Sequence, residues 1–166
     1  VSFPGLKPDT YTGKKGNVIV TPYGSTARRA QVVNWGLSAN GGAVITVQLR
    51  DMNGNPANSR FVVSFINDFN LGQTGNGEAT DLGAFVWANN ATASSTYTPS
   101  ATYSKNNAGS NSVRITRLAK GSYKVTLRGM PHASSTMALA TAYGSSKAYA
   151  SIQRWYKNSS GGTDVF

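Results

Sequence analysis

Residues 18–46 superpose on residues 138–166 at a constant offset of 120 and without a gap, so one structural unit occurs twice in this chain. Thr21, Tyr23, Gly24, Ser25, Ala30 and Trp35 recur as Thr141, Tyr143, Gly144, Ser145, Ala150 and Trp155, and Gly41-Gly42 recurs as Gly161-Gly162. Upstream, Val1-Ser2-Phe3-Pro4-Gly5-Leu6 parallels Val125-Thr126-Leu127-Arg128-Gly129-Met130, with a spacer four residues longer in the first copy. The second copy reaches Phe166 where the first is only entering its run Val44–Leu49. Two arrangements satisfy this: a fragment of a longer tandem protein, or half-units that combine in space. Both leave strand edges open to pairing with another copy.

The repeated unit has the period of a β-strand. Val18, Val20 and Pro22 alternate with Ile19 and Thr21, Val44–Leu49 alternates, and Phe61–Phe65 is rich in strand formers. Further strands are expected at Ala84–Trp87, Ser112–Leu118, Ser122–Leu127, Met137–Tyr143 and Ala148–Tyr156, with an edge strand around Thr102–Ser104. Asn53-Gly54 tolerates positive φ and predicts a hairpin between strands ending at Arg50 and starting at Arg60; Lys120-Gly121 predicts a second reversal. Asn67–Ala79, with three glycines, reads as an exposed loop, and no segment reads as a helix. The expected architecture is all-β: a single antiparallel β-sandwich over 1–166, jelly-roll or Ig-like, with half-repeats 1–66 and 121–166 around a central segment 67–120. An incomplete barrel is the alternative.

Composition narrows the function classes. Apolar residues at 39% and charged residues at 13% are neither the signature of disorder nor that of a coiled coil. No apolar run approaches the roughly 18 residues that a membrane-spanning helix requires. Sixteen Lys and Arg against six Asp and Glu give a net charge of +10, a field that attracts polyanions. The chain has no cysteine, so disulfides and thiolate ligands are absent, and the redox compartment stays open. A Val at position 1 and a Ser/Thr/Asn/Gly-rich composition suit a mature exported protein, secreted or on the cell surface.

The Tyr-Gly-Ser turn, the run to Trp35, and Asp51-x-x-Gly-Asn-Pro-x-Asn-Ser-Arg-Phe61 together resemble tandem β-modules of uncharacterised secreted bacterial proteins, notably actinobacterial ones. Trp87-Ala88, Tyr97-Thr98-Pro99 and Gly121-Ser122-Tyr123-x-Val125 resemble the intervening part of that module, so nearly the whole chain is covered. In that pattern two cysteines stand where this chain has Ala30 and Leu49, and Asp-Ser stands in place of Asn58-Ser59. The resemblance thus implies an apolar pair replacing a disulfide, with Ala30 and Leu49 close across neighbouring strands. It implies export and a β fold, and supplies no activity and no site.

Catalytic inventory is thin. Hydrolysis needs a base near neutrality or a carboxylate pair, and the chain offers His132, Asp9, Asp51, Asp68, Glu78, Asp81 and Asp164. A hydrolase would use Glu78, Asp81 or His132, but no Gly-x-Ser-x-Gly elbow accompanies them. Asp68, Glu78 and Asp81 could offer oxygen ligands to Ca²⁺, without the spacing of an EF-hand. Gly72-x-x-Gly75-x-Gly77 lacks the strand and helix of a nucleotide fingerprint. No cofactor and no metal is expected. A binding surface is the better candidate: strand alternation from Lys147 to Lys157 would put Lys147, Tyr149, Gln153, Trp155 and Lys157 on one face, with Trp35 and Arg29 as first-copy equivalents. The opposite face, Ala148, Ala150, Ile152, Arg154 and Tyr156, would pack inward.

An aromatic flanked by cations and amides stacks sugar rings or grips an anionic polymer. Repeated tryptophans also serve as packing anchors, and Trp87 is expected in the core beside Phe85. The leading expectation is a noncatalytic module for glycan or envelope-polymer binding, adhesion or assembly. A charge-driven binder of nucleic acid or anionic lipid is the other alternative.

Overall fold

The computed structural model describes residues 1–4, 16–37, 42–66, 82–108, 112–132 and 136–166. They form twelve strands: β1 (Ser2–Phe3), β2 (Asn17–Tyr23), β3 (Arg29–Leu37), β4 (Ala43–Arg50), β5 (Arg60–Ile66), β6 (Ala84–Val86), β7 (Ser104–Asn106), β8 (Val113–Ala119), β9 (Ser122–Leu127), β10 (Ala142–Tyr143), β11 (Trp155–Lys157) and β12 (Thr163–Val165). One 3₁₀ turn, Ala101–Tyr103, is the only helical element among the described residues. Two four-stranded sheets have the orders β1-β4-β3-β10 and β11-β12-β9-β8, and β2-β5 and β6-β7 are two-stranded ribbons. All pairs are antiparallel except β10 with β3. The fold is all-β, and its antiparallel sheets pack on one another as in a sandwich.

Alternation places the core. Val18 and Val20 of β2 are buried against Val32 of β3 and Ile45 of β4, and Phe61, Val63 and Phe65 of β5 pack around them with Phe3 and Trp35. The β2-β5 ribbon therefore covers one face of the β1-β4-β3 sheet, and each fully buried Val or Ile contributes about 1.5–3 kcal/mol. Pro22 sits within β2 opposite Phe61; its missing N–H is tolerated because a two-stranded ribbon has only edges. The second large sheet buries Val113 and Ile115 of β8 in company with Ala93, Ala108 and Met130.

The sequence offset reappears in the pairing. In the first copy Trp35, Gly36 and Leu37 oppose Ile45, Val44 and Ala43; in the second, Trp155, Tyr156 and Lys157 oppose Val165, Asp164 and Thr163. On the other edge Ser2 and Phe3 oppose Val44 and Ala43, as Thr126 and Leu127 oppose Asp164 and Thr163. Gly24 and Gly144 both take positive φ, +135° and +108°, in the bends that follow Tyr23 and Tyr143. Ala30 and Leu49 are cross-strand partners in the β3–β4 ladder.

Several expectations are corrected. The Asn53-Gly54 turn forms, with Gly54 at φ +84° and its N–H donating to Asp51 O. It does not pair β4 with β5: the chain reverses into a single antiparallel bridge, Arg50 with Pro56, with Ala57 N donating to Leu49 O at 3.1 Å, and β5 then crosses to pair with β2. The expected strand Met137–Tyr143 is paired only at Ala142–Tyr143, in parallel with Gln31–Val32. The expected strand Ala148–Tyr156 is reduced to Trp155–Lys157, so Ala148 and Ala150 are exposed rather than packed inward. The physical reason is shared. In the first copy these segments are held by β5 and the second half of β4, and among the described residues no strand pairs in that way with residues 138–141 or 145–152. The edge strand near Thr102–Ser104 is displaced to Ser104–Asn106 by the 3₁₀ turn. Asn67–Ala79 lies outside the described residues.

Candidate functional site

Unequal covering of two equivalent faces creates a cleft. In the first unit the face carrying Phe3, Trp35 and Ile45 is covered by the β2-β5 ribbon. Their second-unit counterparts Leu127, Trp155 and Val165 line a cavity of about 1940 Å³, which Trp35 also reaches from the first unit. The segment 138–143, counterpart of β2, passes to the edge of β3, where Gly144 N donates to Val32 O at 2.9 Å and the Gln31 side-chain amide donates to Gly144 O. Its Thr141 hydroxyl accepts from Val20 N at 3.3 Å. Docked there, it leaves the inner face of β9, β11 and β12 open, with Tyr123 and Val125 also lining the cavity.

The opposite wall is aromatic. Trp87, at the end of β6, stands edge-to-face with Tyr103 and Tyr143, at centroid distances of 5.1 and 5.5 Å. Tyr103 in turn meets Trp35 edge-on at 6.3 Å, continuing the chain of rings to the core. Such pairs fix ring orientation as well as adding stability. Trp87 was expected in the core; it is 37% exposed and borders the cleft, because β6 ends at Val86 and only Phe85 turns inward. Tyr149 is 60% exposed at the same cleft, and the Arg29 guanidinium lies 4.2 Å from its ring centroid. Met137 and Leu139 add exposed apolar side chains.

Five of the seven expected binding residues, Trp35, Lys147, Tyr149, Gln153 and Trp155, line this one cavity, and Arg29 joins it through Tyr149. They meet without sharing a strand face, since Lys147–Arg154 lies outside the strands. Trp155 Nε1 donates to Thr136 Oγ1 at 3.2 Å, which fixes its ring on the cleft wall. Trp35 is half-buried against Phe65 at 5.4 Å and serves packing. Lys157 is exposed on β11 and does not line the cavity. Sequence reasoning missed Tyr103 and Tyr143 as wall residues; Tyr143 carried a signal, being the copy of Tyr23 in the Tyr-Gly-Ser turn.

Electrostatics at the cleft are one-sided. Asp51 is engaged in its own turn, accepting from the Asn53 and Asn55 amides at 2.9 and 2.8 Å. The Asn55 amide holds its carboxyl below the ordinary 3.8, assisted by the Asn55 side chain, the Asn53 amide and the Arg28 charge, against an opposing contribution from desolvation. Asp164 pairs with Lys124 at 3.6 Å and accepts from Asn158 Nδ2 at 3.1 Å. Pro131 lines the cavity while His132, the hydrolase candidate, does not; Asp9, Asp68, Glu78 and Asp81 lie outside the described residues. Among the described residues no group of three or more His, Asp and Glu is placed to hold a metal, and no helix is long and apolar enough to cross a membrane. Compared with family models, curated proteins and solved structures, the chain matches none.

Proposed function

We propose that the chain is a noncatalytic β module of a secreted or cell-surface protein, and that it binds glycan or a related envelope polymer in the cleft between its two units. The observation that supports this reading is the concentration of Trp87, Tyr143, Tyr149 and Trp155 around one cavity, with Lys147 and Gln153 among them. Aromatic faces bury the apolar face of a sugar ring, and amide and ammonium donors take its hydroxyls. Exposed aromatics held rigid by neighbouring rings lose little freedom on binding, which favours affinity.

The test is retention on immobilised glycans and on polyphosphate at low and high salt, with Tyr149→Ala and Trp87→Ala as variants. Loss of one stacking partner is expected to weaken glycan binding by about five- to tenfold, at about 1 kcal/mol per contact, with melting unchanged. Binding to every polyanion alike, collapsing steeply with salt, would instead show a charge-driven binder. Retention by both variants equal to the parent chain would remove the cleft as the binding site.

A further inference from the structure

We infer that the cleft selects glycans that carry an anionic substituent, and that Arg29, seated on Tyr149, receives that group. This deepens the glycan reading above and rests on it. The first observation is the sign of the charges. Of the six acidic residues, only Asp51 and Asp164 are among those described, and both are engaged away from the cavity, in the Asp51–Asn55 turn and with Lys124. The charged residue that lines the cavity is Lys147, whose side chain packs over Gly54. Beneath it lies Arg50, nearly buried, donating to Gly54 O at 2.9 Å and reaching Ser145 O at 3.5 Å.

The second observation is a pairing that folding alone disfavours. Arg29 and Arg50 stand directly opposite each other in the β3–β4 ladder, with Arg28 adjacent. Like charges in that relation destabilise a sheet. Asp51, the nearest carboxylate described, is drawn to Arg28 and already accepts three hydrogen bonds from Asn53 and Asn55. Among the described residues, Arg28, Arg29 and Arg50 thus stand together beside one committed carboxylate, with Lys147 over the neighbouring turn, a field that an anionic ligand would complete.

The third is the geometry of Arg29. Its guanidinium covers a ring face of Tyr149, and among the described residues its N–H groups donate to no protein acceptor. A guanidinium over an aromatic ring, with its N–H groups donating to no protein acceptor, can offer its N–H fork to a bidentate carboxylate or sulfate. A sugar seated in the cleft beside Tyr149 would bring a ring substituent to that fork. The cavity, at about 1940 Å³, exceeds the ~1,000 Å³ upper range of small-molecule sites and has room for a chain of several sugar units.

The experiment titrates the whole chain with oligosaccharides of polygalacturonate, alginate and hyaluronan, each beside its carboxyl-reduced neutral counterpart, with a sulfated glycan and polyphosphate as further arms. Tryptophan fluorescence is the readout, at physiological salt. Tighter binding of at least one acidic form than of its reduced counterpart, by about tenfold or more, is expected from one charge-assisted bidentate contact. Arg29→Gln should erase that preference while sparing the neutral form. Lys147→Gln, on an exposed side chain, should weaken the preference partially, and it keeps the test decisive if Arg29→Gln fails to fold. The carboxylate and sulfate arms separate the two sources of charge. Equal binding of acidic and neutral forms overturns the inference and leaves the glycan reading standing. Binding of no glycan overturns both, and polyphosphate binding as tightly as the acidic glycans shows that charge, not the sugar, is recognised.

Discussion

Gly42 and Gly162 illustrate how a single missing methyl group fixes the repeated unit. A Cβ at Gly42 would come within 2.6 Å of Phe3 O, and one at Gly162 within 2.5 Å of Leu127 O. The obstacle in each case is the equivalent backbone position of the strand paired alongside, β1 or β9, and backbone in a ladder cannot yield cheaply. Gly42→Ala and Gly162→Ala are each expected to destabilise the fold by about 1–3 kcal/mol, read from urea unfolding. Gly36→Ala, where a Cβ meets nothing within 4 Å, is expected to stay near neutral. Loss of stability at Gly36 equal to that at Gly162 would refute the steric account. Asp51 supplies a residue-scale prediction about pH. Its carboxyl is held below 3.8 in the fold, so its stabilising effect is present above that value and is lost as pH falls through the lower folded value. The parent chain should therefore lose more stability between pH 6 and pH 3 than Asp51→Asn does. Identical losses in thermal melts across that range would show that the turn draws nothing from the ionised carboxylate.

At the scale of elements, a buried side chain does what pairing alone does not. Asn106 of β7 is fully buried, and its Nδ2 donates to Ser112 O at 3.2 Å and to Arg128 O at 2.7 Å, while its Oδ1 accepts from Ala108 N at 3.1 Å. One amide thereby ties the β6-β7 ribbon to the start of β8 and to the turn after β9. Asn106→Ala removes three hydrogen bonds made by a fully buried amide, each worth about 0.5–1.5 kcal/mol, so a loss of at least about 2 kcal/mol in chemical denaturation is expected. Asn106→Asp, which keeps the acceptor and removes both donations, should recover little of it. A change below 0.5 kcal/mol in either variant, on the scale of ordinary surface substitutions, would contradict this role. The sequence shows why such an element is hard to foresee. β2, β4, β5, β8 and β9 are legible because each presents a run of strand formers, alternating or apolar, that faces a partner strand. β7 is three residues, Ser-Lys-Asn, and is specified by what its Asn106 reaches rather than by its own pattern. The same reasoning explains Ala148–Tyr156: alternation encodes a willingness to pair, but the edge that would accept residues 149–152 is not among these strands.

Across the whole molecule, two units share one register and differ in what covers them. The repeat was legible in Tyr-Gly-Ser, Trp and Gly-Gly, and the two tryptophans take the same place in the ladders of both units; Lys147, Tyr149 and Gln153 stand where the first copy has Ala27, Arg29 and Val33, and so carry no repeat signal. The cleft itself was not legible, since it arises where the second copy departs from the first: 138–143 docks on β3, and among the described residues no ribbon lies over Trp155. That asymmetry makes a sharp comparison between two tryptophans at the same register. Trp35 packs edge-on against Phe65 in the covered face, so Trp35→Ala opens a hole in the core and should cost about 3–5 kcal/mol. Trp155 faces space that is already open, so Trp155→Ala removes fewer packed neighbours; with the Thr136 hydrogen bond lost as well, its cost should be about 1–2 kcal/mol. The binding consequence runs the other way. Trp155→Ala should weaken glycan retention while the chain stays folded, whereas Trp35→Ala should act through loss of fold, so that its binding recovers in conditions that restore the folded population. Urea unfolding and glycan titration on the two variants separate these outcomes. Equal destabilisation by the two substitutions would mean that the second face is covered as fully as the first, and the cleft could then admit no ligand.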